Sequence, residues 1–254
     1  MIDVEDGTRE GAGREPRPAR IHWLLCTRAQ LPGELDWLAP VERAVLDTLR
    51  LPKRRGDWLL GRWTAKQVLA RCLAELPTSL AGIRVLAAAD GAPEAHLVGA
   101  RGQPSLSISH SGELGFAVAA TTGIPVGCDV ERIEPRTPVF VRDYFTAAEA
   151  ALVQAAAPAS RDLLATLLWS ATESALKVRR EGLRADTRSV EVRLSAADGS
   201  ARGRFTATPS DGTVLRGCWW RSGEYVCTVA APLAADPPEW LAPDASPAWT
   251  VPVV

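Results

Sequence analysis

The chain has 254 residues, of which 46% are hydrophobic and 23% are charged, and its formal net charge is −1 at pH 7. This composition is typical of a soluble globular protein with a sizeable core, in one large domain or two small ones. A charge so near zero gives no global field for nucleic acid or an anionic membrane, so any phosphate would have to be bound by a local basic cluster.

The sequence also argues against membrane insertion and a disulfide framework. No apolar stretch approaches the roughly 20 residues that span a bilayer, and residues 1–20 lack the apolar segment of a signal peptide, so we expect a cytoplasmic protein. The five cysteines form neither a CxxC pair nor a metal-ligand spacing, and we interpret them as small buried hydrophobic residues.

The two ends of the chain are predicted to be tails. Residues 1–20 lack hydrophobic periodicity, and residues 232–254 carry six prolines, which block regular structure. Trp240 and Trp249 in the second tail are expected to dock onto the body, since exposed indoles would leave much apolar area in water.

Helices and strands alternate between the tails. The spacing of apolar residues predicts one helix from Asp57, as its N-cap, to Leu76, and a second over residues 161–180. Alternating patterns and turn signals predict strands at 105–109, 115–121, 126–131, 189–194, 204–208, 213–220 and 224–230.

Two segments of the chain are echoed at one offset. "SGELGFAVAA" (111–120) resembles "SGEYVCTVAA" (222–231), and the same offset of 111 residues places "WLLGRWTAK" (58–66) on "WSATESALK" (169–177). The echo indicates a duplicated α+β unit, and chance similarity between Ala-rich segments is the alternative. In a duplicated protein the first half would present cationic side chains, and the second half would present an acidic side chain at the related positions. An interface between such halves could bind a metal together with a polyanion.

The hexapeptide "VGCDVE" (126–131) places Asp129 and Glu131 on one face of a predicted strand, opposite an apolar face. Their Cα atoms would lie about 7 Å apart. Two such carboxylates repel unless a cation lies between them, and hard cations such as Mg²⁺ take oxygen ligands. The alternative is a solvent-facing strand in which Arg132 compensates the charge.

Further candidate residues lie on the two predicted helices and at one turn. Glu173 and Lys177 share a face with a tryptophan, as a half-buried functional pair or an ordinary surface ion pair. Arg62 and Lys66 lie one turn apart, either bridged by an anion or solvated. His110 could donate a hydrogen bond to a phosphate, act as a general base, or simply form the turn.

Five ordered motifs resemble those of the 4'-phosphopantetheinyl transferases of the Sfp type, in the holo-carrier-protein synthase superfamily. They are "LLGRWTAK" (59–66), "GQPSLSISHSG" (102–112), "VGCDVE" (126–131), "FTAAE" (145–149) and "WSATESALK" (169–177). The resemblance implies an α+β fold, a pseudo-two-fold duplication of two similar α+β halves with the active site between them. The divisions expected are a disordered tail at 1–20, a coenzyme A-binding half at 21–122, a metal and catalytic half at 123–231, and a Pro-rich tail at 232–254.

The resemblance also implies the reaction. A serine of an apo acyl, peptidyl or aryl carrier protein attacks the β-phosphate of coenzyme A, takes up phosphopantetheine and releases 3',5'-ADP. Asp129, Glu131 and Glu173 would bind Mg²⁺, with Mn²⁺ as a possible substitute. Lys177 would contact a phosphate or the leaving group. The general base would be Glu173, Glu149 or a water on the metal, and Glu173 is favoured. The residues that would bind coenzyme A are Arg62, Lys66, Gln103, Ser109, His110 and Lys177.

The sequence departs from the family pattern at two places. Gln103 and Thr172 stand where lysines are usual, which removes two cations from the phosphate region. The alternatives are therefore an impaired relative that binds coenzyme A or a carrier protein, and a magnesium-dependent phosphohydrolase. Since one chain holds both halves, we expect a functional monomer that contacts neither nucleic acid nor membrane.

Overall fold

The computed structural model describes residues 21–72, 79–97, 103–120, 123–195 and 201–232. Within these ranges the chain forms ten strands and five α-helices. The strands are β1 (Ile21–Thr27), β2 (Ile83–Ala87), β3 (Pro93–Leu97), β4 (Ser105–Ser111), β5 (Leu114–Ala120), β6 (Gly127–Arg132), β7 (Val190–Leu194), β8 (Arg202–Pro209), β9 (Leu215–Ser222) and β10 (Tyr225–Pro232).

The helices are α1 (Pro40–Thr48), α2 (Pro52–Cys72), α3 (Pro138–Tyr144), α4 (Ala147–Ala155) and α5 (Pro158–Val178). Four of them begin at a proline, which has no backbone N–H that needs a partner. The fifth, α4, begins at Ala147, next to the capping side chain of Thr146. None of the helices in the described ranges is long and apolar enough to cross a membrane.

The strands form three antiparallel sheets. β1, β5 and β4 make a three-stranded sheet, β6, β10, β9, β8 and β7 make a five-stranded sheet, and β2 pairs with β3. α2 packs on the first of these sheets and α5 on the second, while a further core cluster joins the two sheets with side chains such as Phe116, Cys128 and Val130. The protein is thus a mixed α+β fold with two sheet-bearing halves.

A run of alternating serines joins the halves along β4. The hydroxyl of Ser107 accepts a hydrogen bond from the backbone nitrogen of Cys128 at 3.0 Å, and that of Ser111 accepts one from Arg132 at 3.3 Å. β4 and β6 therefore run side by side in the same direction and are linked by side chains. We call Ser107, Ser109 and Ser111 the serine seam.

Matching features recur in the two halves. The β4–β5 and β9–β10 hairpins both turn through a Gly-Glu pair, with φ of +57° at Gly112 and +59° at Gly223. A two-residue turn with glycine first needs this left-handed conformation at the glycine alone. The hairpins are therefore equivalent in register as well as in sequence.

A second match was not visible in the sequence. Glu42 accepts hydrogen bonds from the backbone nitrogens of Ala39 and Val85, and Glu149 accepts them from those of Thr146 and Val192. In both halves a buried glutamate in the first turn of a short helix thus fixes a neighbouring strand.

The observed helices correct two expectations. Asp57 is not an N-cap, because α2 already begins at Pro52; it lies inside the helix and pairs with Arg28 and Lys53. The ends of α2 and α5 correspond at an offset of 106 residues, whereas the hairpins correspond at 111.

The strands predicted from residue 105 onward all form, with ends shifted by up to two residues. β1, β2, β3, α1, α3 and α4 were not predicted. Pro232, predicted to begin the second tail, instead ends β10. The predictions for Leu76, Trp240, Trp249 and the rest of both tails concern residues outside the described ranges.

The serine seam predicts unequal costs for equivalent substitutions. Ser107→Ala would leave the buried Cys128 amide without a partner, so we expect it to lower the free energy of unfolding by about 1–3 kcal/mol. Ser111→Ala, at the exposed end of the seam, is expected to cost less than about 0.5 kcal/mol. Urea denaturation of both variants measures this, and equal costs would contradict the seam.

Candidate functional site

The strand alternation predicted for "VGCDVE" is present. Cys128 and Val130 point into the core between the two sheets, so Asp129 and Glu131 point to the other face, towards α5. The helix lies close to the strand, because a Cβ on Gly127 would overlap the carbonyl oxygen of Ser174. The two acids are therefore enclosed by α5, and the solvent-facing alternative does not hold for Asp129, which is only 3% exposed.

Asp129 connects both halves. Its Oδ1 accepts a hydrogen bond from the hydroxyl of Ser109 at 2.7 Å and an ion pair from the Nζ of Lys177 at 2.8 Å. Lys177 also donates to the carbonyl of Cys128 at 3.0 Å. The second carboxylate oxygen, Oδ2, is buried and has no hydrogen-bond partner among the described residues.

Glu131 has one partner on each oxygen. Its Oε1 accepts from the indole nitrogen of Trp169 at 3.2 Å, and its Oε2 lies 3.5 Å from a guanidinium nitrogen of Arg136. Burial, reinforced by the charge of Asp129, raises the pKa of Glu131 to about 6 although Arg136 opposes the shift. Arg136 was not among the predicted site residues, because nothing in its local sequence indicates this contact.

Glu173 projects from α5 towards the same two acids. It is 8% exposed, and its Oε1 has no hydrogen-bond partner in the described part of the chain. Burial raises the pKa of Glu173 to about 7; Lys177 lowers it, while Asp129 and Glu131 raise it further. The structure therefore brings three carboxylates within electrostatic reach of one another.

These acids fit a hard divalent cation. Asp129 and Glu173 each keep one buried oxygen without a partner, and such oxygens are costly unless a cation or donor reaches them. All the candidate ligands are carboxylate oxygens, the donors that Mg²⁺ and Mn²⁺ prefer. Among the described residues no three His, Cys, Asp or Glu side chains already converge as a ligand set, and Lys177 supplies the positive charge at Asp129.

A cleft of about 800 Å³ lies beside this cluster, between β4, the β2–β3 hairpin and the end of α5. Lys177 and Gln103 both line it. Gln103 is exposed, and its side-chain oxygen accepts a hydrogen bond from the backbone nitrogen of Leu97 at 3.0 Å. Thr172, the other departure from the family pattern, is buried on α5 and does not line the cleft.

A second cleft of about 520 Å³ contains basic residues of the first half. Arg62 is held by the carbonyl of Val85 at 3.1 Å and stacks on Trp58, with its guanidinium carbon 4.7 Å from the ring centre. His110 lines the same cleft, and burial lowers its pKa although Asp57 opposes the shift. Lys53 and Arg54 add positive charge there.

Lys66 does not belong to either cleft, so its predicted role in nucleotide binding is wrong. The side chain is fully buried, and its Nζ donates to Glu42 at 2.5 Å, to the Trp37 carbonyl at 2.9 Å and to the Leu80 carbonyl at 3.1 Å. These three bonds use all the donors of an ammonium group. The helical spacing correctly placed Lys66 one turn after Arg62 but gave no sign of the acid that covers it.

Glu149 is also remote from the acid cluster. It is 3% exposed, and its two oxygens accept hydrogen bonds from the backbone nitrogens of Thr146 and Val192 at 2.8 Å each. A carboxylate held this way acts as a helix cap. The structure therefore gives Glu149 a capping role and does not place it with the acid cluster.

Comparison with known proteins adds a family match for one part of the chain. Residues 125–230 match the model of the 4'-phosphopantetheinyl transferase superfamily. This segment contains Asp129, Glu131, Glu173 and Lys177, whereas Arg62 and His110 lie before it. No curated protein matches the chain.

The correction at Lys66 predicts a purely structural effect. Lys66→Met leaves the charge of Glu42 buried without its partner, and we expect a loss of about 3–5 kcal/mol in the free energy of unfolding. Lys53→Met removes an exposed pair with Asp57 and is expected to cost less than about 0.5 kcal/mol. Urea denaturation at equal protein concentration compares the two, and wild-type stability of Lys66→Met would refute the buried pair.

The acid cluster predicts binding of Mn²⁺ by the free protein. We expect calorimetry to detect one site, and expect Asp129→Asn and Glu173→Gln to weaken it at least about ten-fold. Glu191→Gln, which removes a surface acid paired with Arg193, is the matched control and should bind like wild type. Equal binding by all four proteins would place the cation elsewhere.

Proposed function

We propose that the protein transfers the phosphopantetheine group of coenzyme A to a serine of an apo carrier protein. The observation that carries this proposal is the cluster of Asp129, Glu131 and Glu173, because the cluster lies inside the matched segment and Lys177, which pairs with Asp129, lines a cleft between the two halves. Motif resemblance in the first half, which the family match does not reach, supports the Sfp type.

In the proposed reaction the oxygen of the carrier serine forms a bond to the β-phosphorus of coenzyme A. The bond from that phosphorus to the bridging oxygen breaks, and 3',5'-ADP leaves with the electron pair. The serine gives up a proton during the attack. The site therefore has to neutralise phosphate charge, position the serine and accept one proton.

The carboxylates would hold the divalent cation through Asp129, Glu131 and Glu173. When bound, a Mg²⁺ ion would offset the charge that grows on the pyrophosphate oxygens as the leaving group departs. Asp129 is already oriented by Ser109 and Lys177, and Glu131 by Trp169 and Arg136.

Lys177 is the cation best placed to contact a phosphate. Its side chain is 25% exposed, lines the larger cleft and already touches Asp129. A phosphate in the cleft would meet this ammonium beside the acid cluster, where the low dielectric strengthens the attraction. Arg62 and His110, with the neighbouring basic residues of the second cleft, are proposed to hold the nucleotide end of coenzyme A.

Glu173 is the residue we assign as general base. Its Oε1 has no partner among the described residues, and a carboxylate has two oxygens, so one could hold the cation while the other accepts the proton of the serine. Glu149, the other side chain considered for this role, is held by backbone nitrogens of its own helix cap and of β7, which supports the choice of Glu173.

The proposal predicts a specific mass change in an acceptor protein. Incubation of a purified apo carrier protein with this protein, coenzyme A and Mg²⁺ should produce a phosphopantetheine adduct by intact mass spectrometry. Asp129→Ala and Glu173→Ala should lower the rate at least about a hundred-fold, and chelation should abolish it. Glu191→Gln should remain active.

Three results would separate the alternatives. Coenzyme A binding without an adduct on several unrelated carriers would favour a binding-only relative, as the substitutions Gln103 and Thr172 allow. Free phosphopantetheine released without any acceptor would indicate a phosphohydrolase. An adduct formed equally by Asp129→Ala would place the chemistry away from the acid cluster.

A further inference from the structure

The larger cleft is closed along one rim by segments from different halves. The β2–β3 hairpin contributes residues 90–94, and the segment after α5 contributes residues 179–182 and 184. Neither segment contains the acid cluster. Contacts between them therefore set how widely the cleft opens rather than which groups react in it.

Four hydrogen bonds join these segments. Arg180 donates to the two carboxylate oxygens of Asp90 at 2.7 and 3.0 Å and to Glu94 at 2.8 Å. Arg184 donates to the backbone carbonyl of Asp90 at 2.7 Å. A bidentate guanidinium–carboxylate contact of this kind also fixes the orientation of the two groups.

The backbone at Arg180 is in a conformation that arginine rarely adopts. Its φ is +59°, and it is the only non-glycine residue with positive φ in the described ranges. Arg180 donates from its nitrogen to the Lys177 carbonyl, and Glu181 donates to that of Leu176. This is the helix-ending motif in which glycine normally takes the left-handed position.

An arginine at that position costs free energy that a glycine would not. Strain of this kind persists where the surrounding contacts fix the residue, and it is often found at functional sites. The contact that requires an arginine here is the one its guanidinium makes across the cleft. The contacts of the side chain, rather than the backbone turn, therefore explain why this position holds an arginine.

The ion pairs of the rim are partly exposed to solvent. The side chains of Arg180, Asp90 and Glu94 are 45%, 33% and 40% exposed. The contact with Arg180 lowers the pKa of Asp90 to about 2, so the pair stays charged at neutral pH. Exposed pairs contribute modestly and are screened by salt.

We propose that Arg180 and Arg184, with Asp90 and Glu94, form an ion-pair clasp that controls entry to the cleft. The clasp holds the β2–β3 turn of the first half against the segment after α5 in the second half. Its opening admits or releases the ligand. Only the identity of that ligand, coenzyme A, rests on the proposed function.

Access to the cleft can be measured without any ligand. Ser105 is half-buried and lines the cleft, so a Ser105→Cys variant of the full chain reports access by its rate of alkylation with iodoacetamide. Adding Asp90→Asn should raise this rate at least about three-fold at low salt. Salt raised from about 50 to about 500 mM should speed alkylation of the parent, and should have a smaller effect on the Asp90→Asn protein, which keeps only the pair of Arg180 with Glu94.

Two further proteins separate opening from general destabilisation. Arg180→Gly, on the Ser105→Cys background, removes the guanidinium but suits the left-handed backbone, so it should speed alkylation without lowering the urea midpoint. Glu191→Gln on the same background removes a pair that does not span the halves and should change nothing. The buried Cys26 should remain unmodified throughout, as a check against unfolding.

Unchanged alkylation in both the Asp90→Asn and Arg180→Gly proteins would overturn the clasp. So would acceleration matched by equal modification of Cys26, because the effect would then be unfolding. Dissociation of coenzyme A should accelerate in the same two variants. A protein that does not bind coenzyme A yet shows the alkylation pattern would refute the proposed ligand and leave the clasp established.

Discussion

The site depends on one buried carboxylate that is satisfied from both halves of the molecule. Asp129 is almost fully removed from solvent, and an isolated charge there would be very costly. Ser109 of the first half and Lys177 of α5 both reach its Oδ1, so the position of β4 beside β6 and the position of α5 on the second sheet meet at one atom. The geometry of the acid cluster therefore depends on how the two halves pack against each other.

The matching features of the two halves make their differences informative. Glu42 and Glu149 do the same structural work, each capping a short helix and holding a strand nitrogen. Only Glu42 carries a buried lysine, because Lys66 completes its charge within the first half. In the second half, Lys177 of α5 instead pairs with Asp129. In the first half the buried lysine thus neutralises a buried glutamate and stabilises the fold. In the second half the acid cluster keeps buried oxygens without partners, which a cation could bind.

Much of this arrangement could be predicted from the sequence, for a physical reason. Strands of the two hairpins and the long helix α5 were predicted because alternation and helical spacing are local signals. The placement of Asp129 and Glu131 opposite an apolar face followed from the same period of two. The equivalence of the hairpins rested on a glycine that has to adopt positive φ in both.

The errors share a different cause. Lys66 was assigned to a ligand because its partner Glu42 lies 24 positions earlier, and no local pattern indicates a contact of that range. Asp57 was taken as a cap because aspartate is a favoured N-cap residue, although Pro52 suits the first turn of a helix. Glu149 fitted a family motif, but one of its oxygens caps its own helix at Thr146 and the other is held by Val192 of the strand packed against it. Long-range polar contacts, rather than secondary structure, limited the assignment of the site.

The two connections between the halves differ in the solvent around them. In the serine seam, Ser107 and Ser111 accept hydrogen bonds from backbone nitrogens, and the buried Ser109 donates to the buried carboxylate of Asp129; salt screens buried contacts of this kind only weakly. The rim at Arg180 is made of half-exposed charges, whose attraction falls as ionic strength rises. The first connection should therefore depend little on ionic strength, whereas the second should weaken as ionic strength rises. Asp129 is attached to the first connection through Ser109 and, through Lys177, to the helix that precedes Arg180.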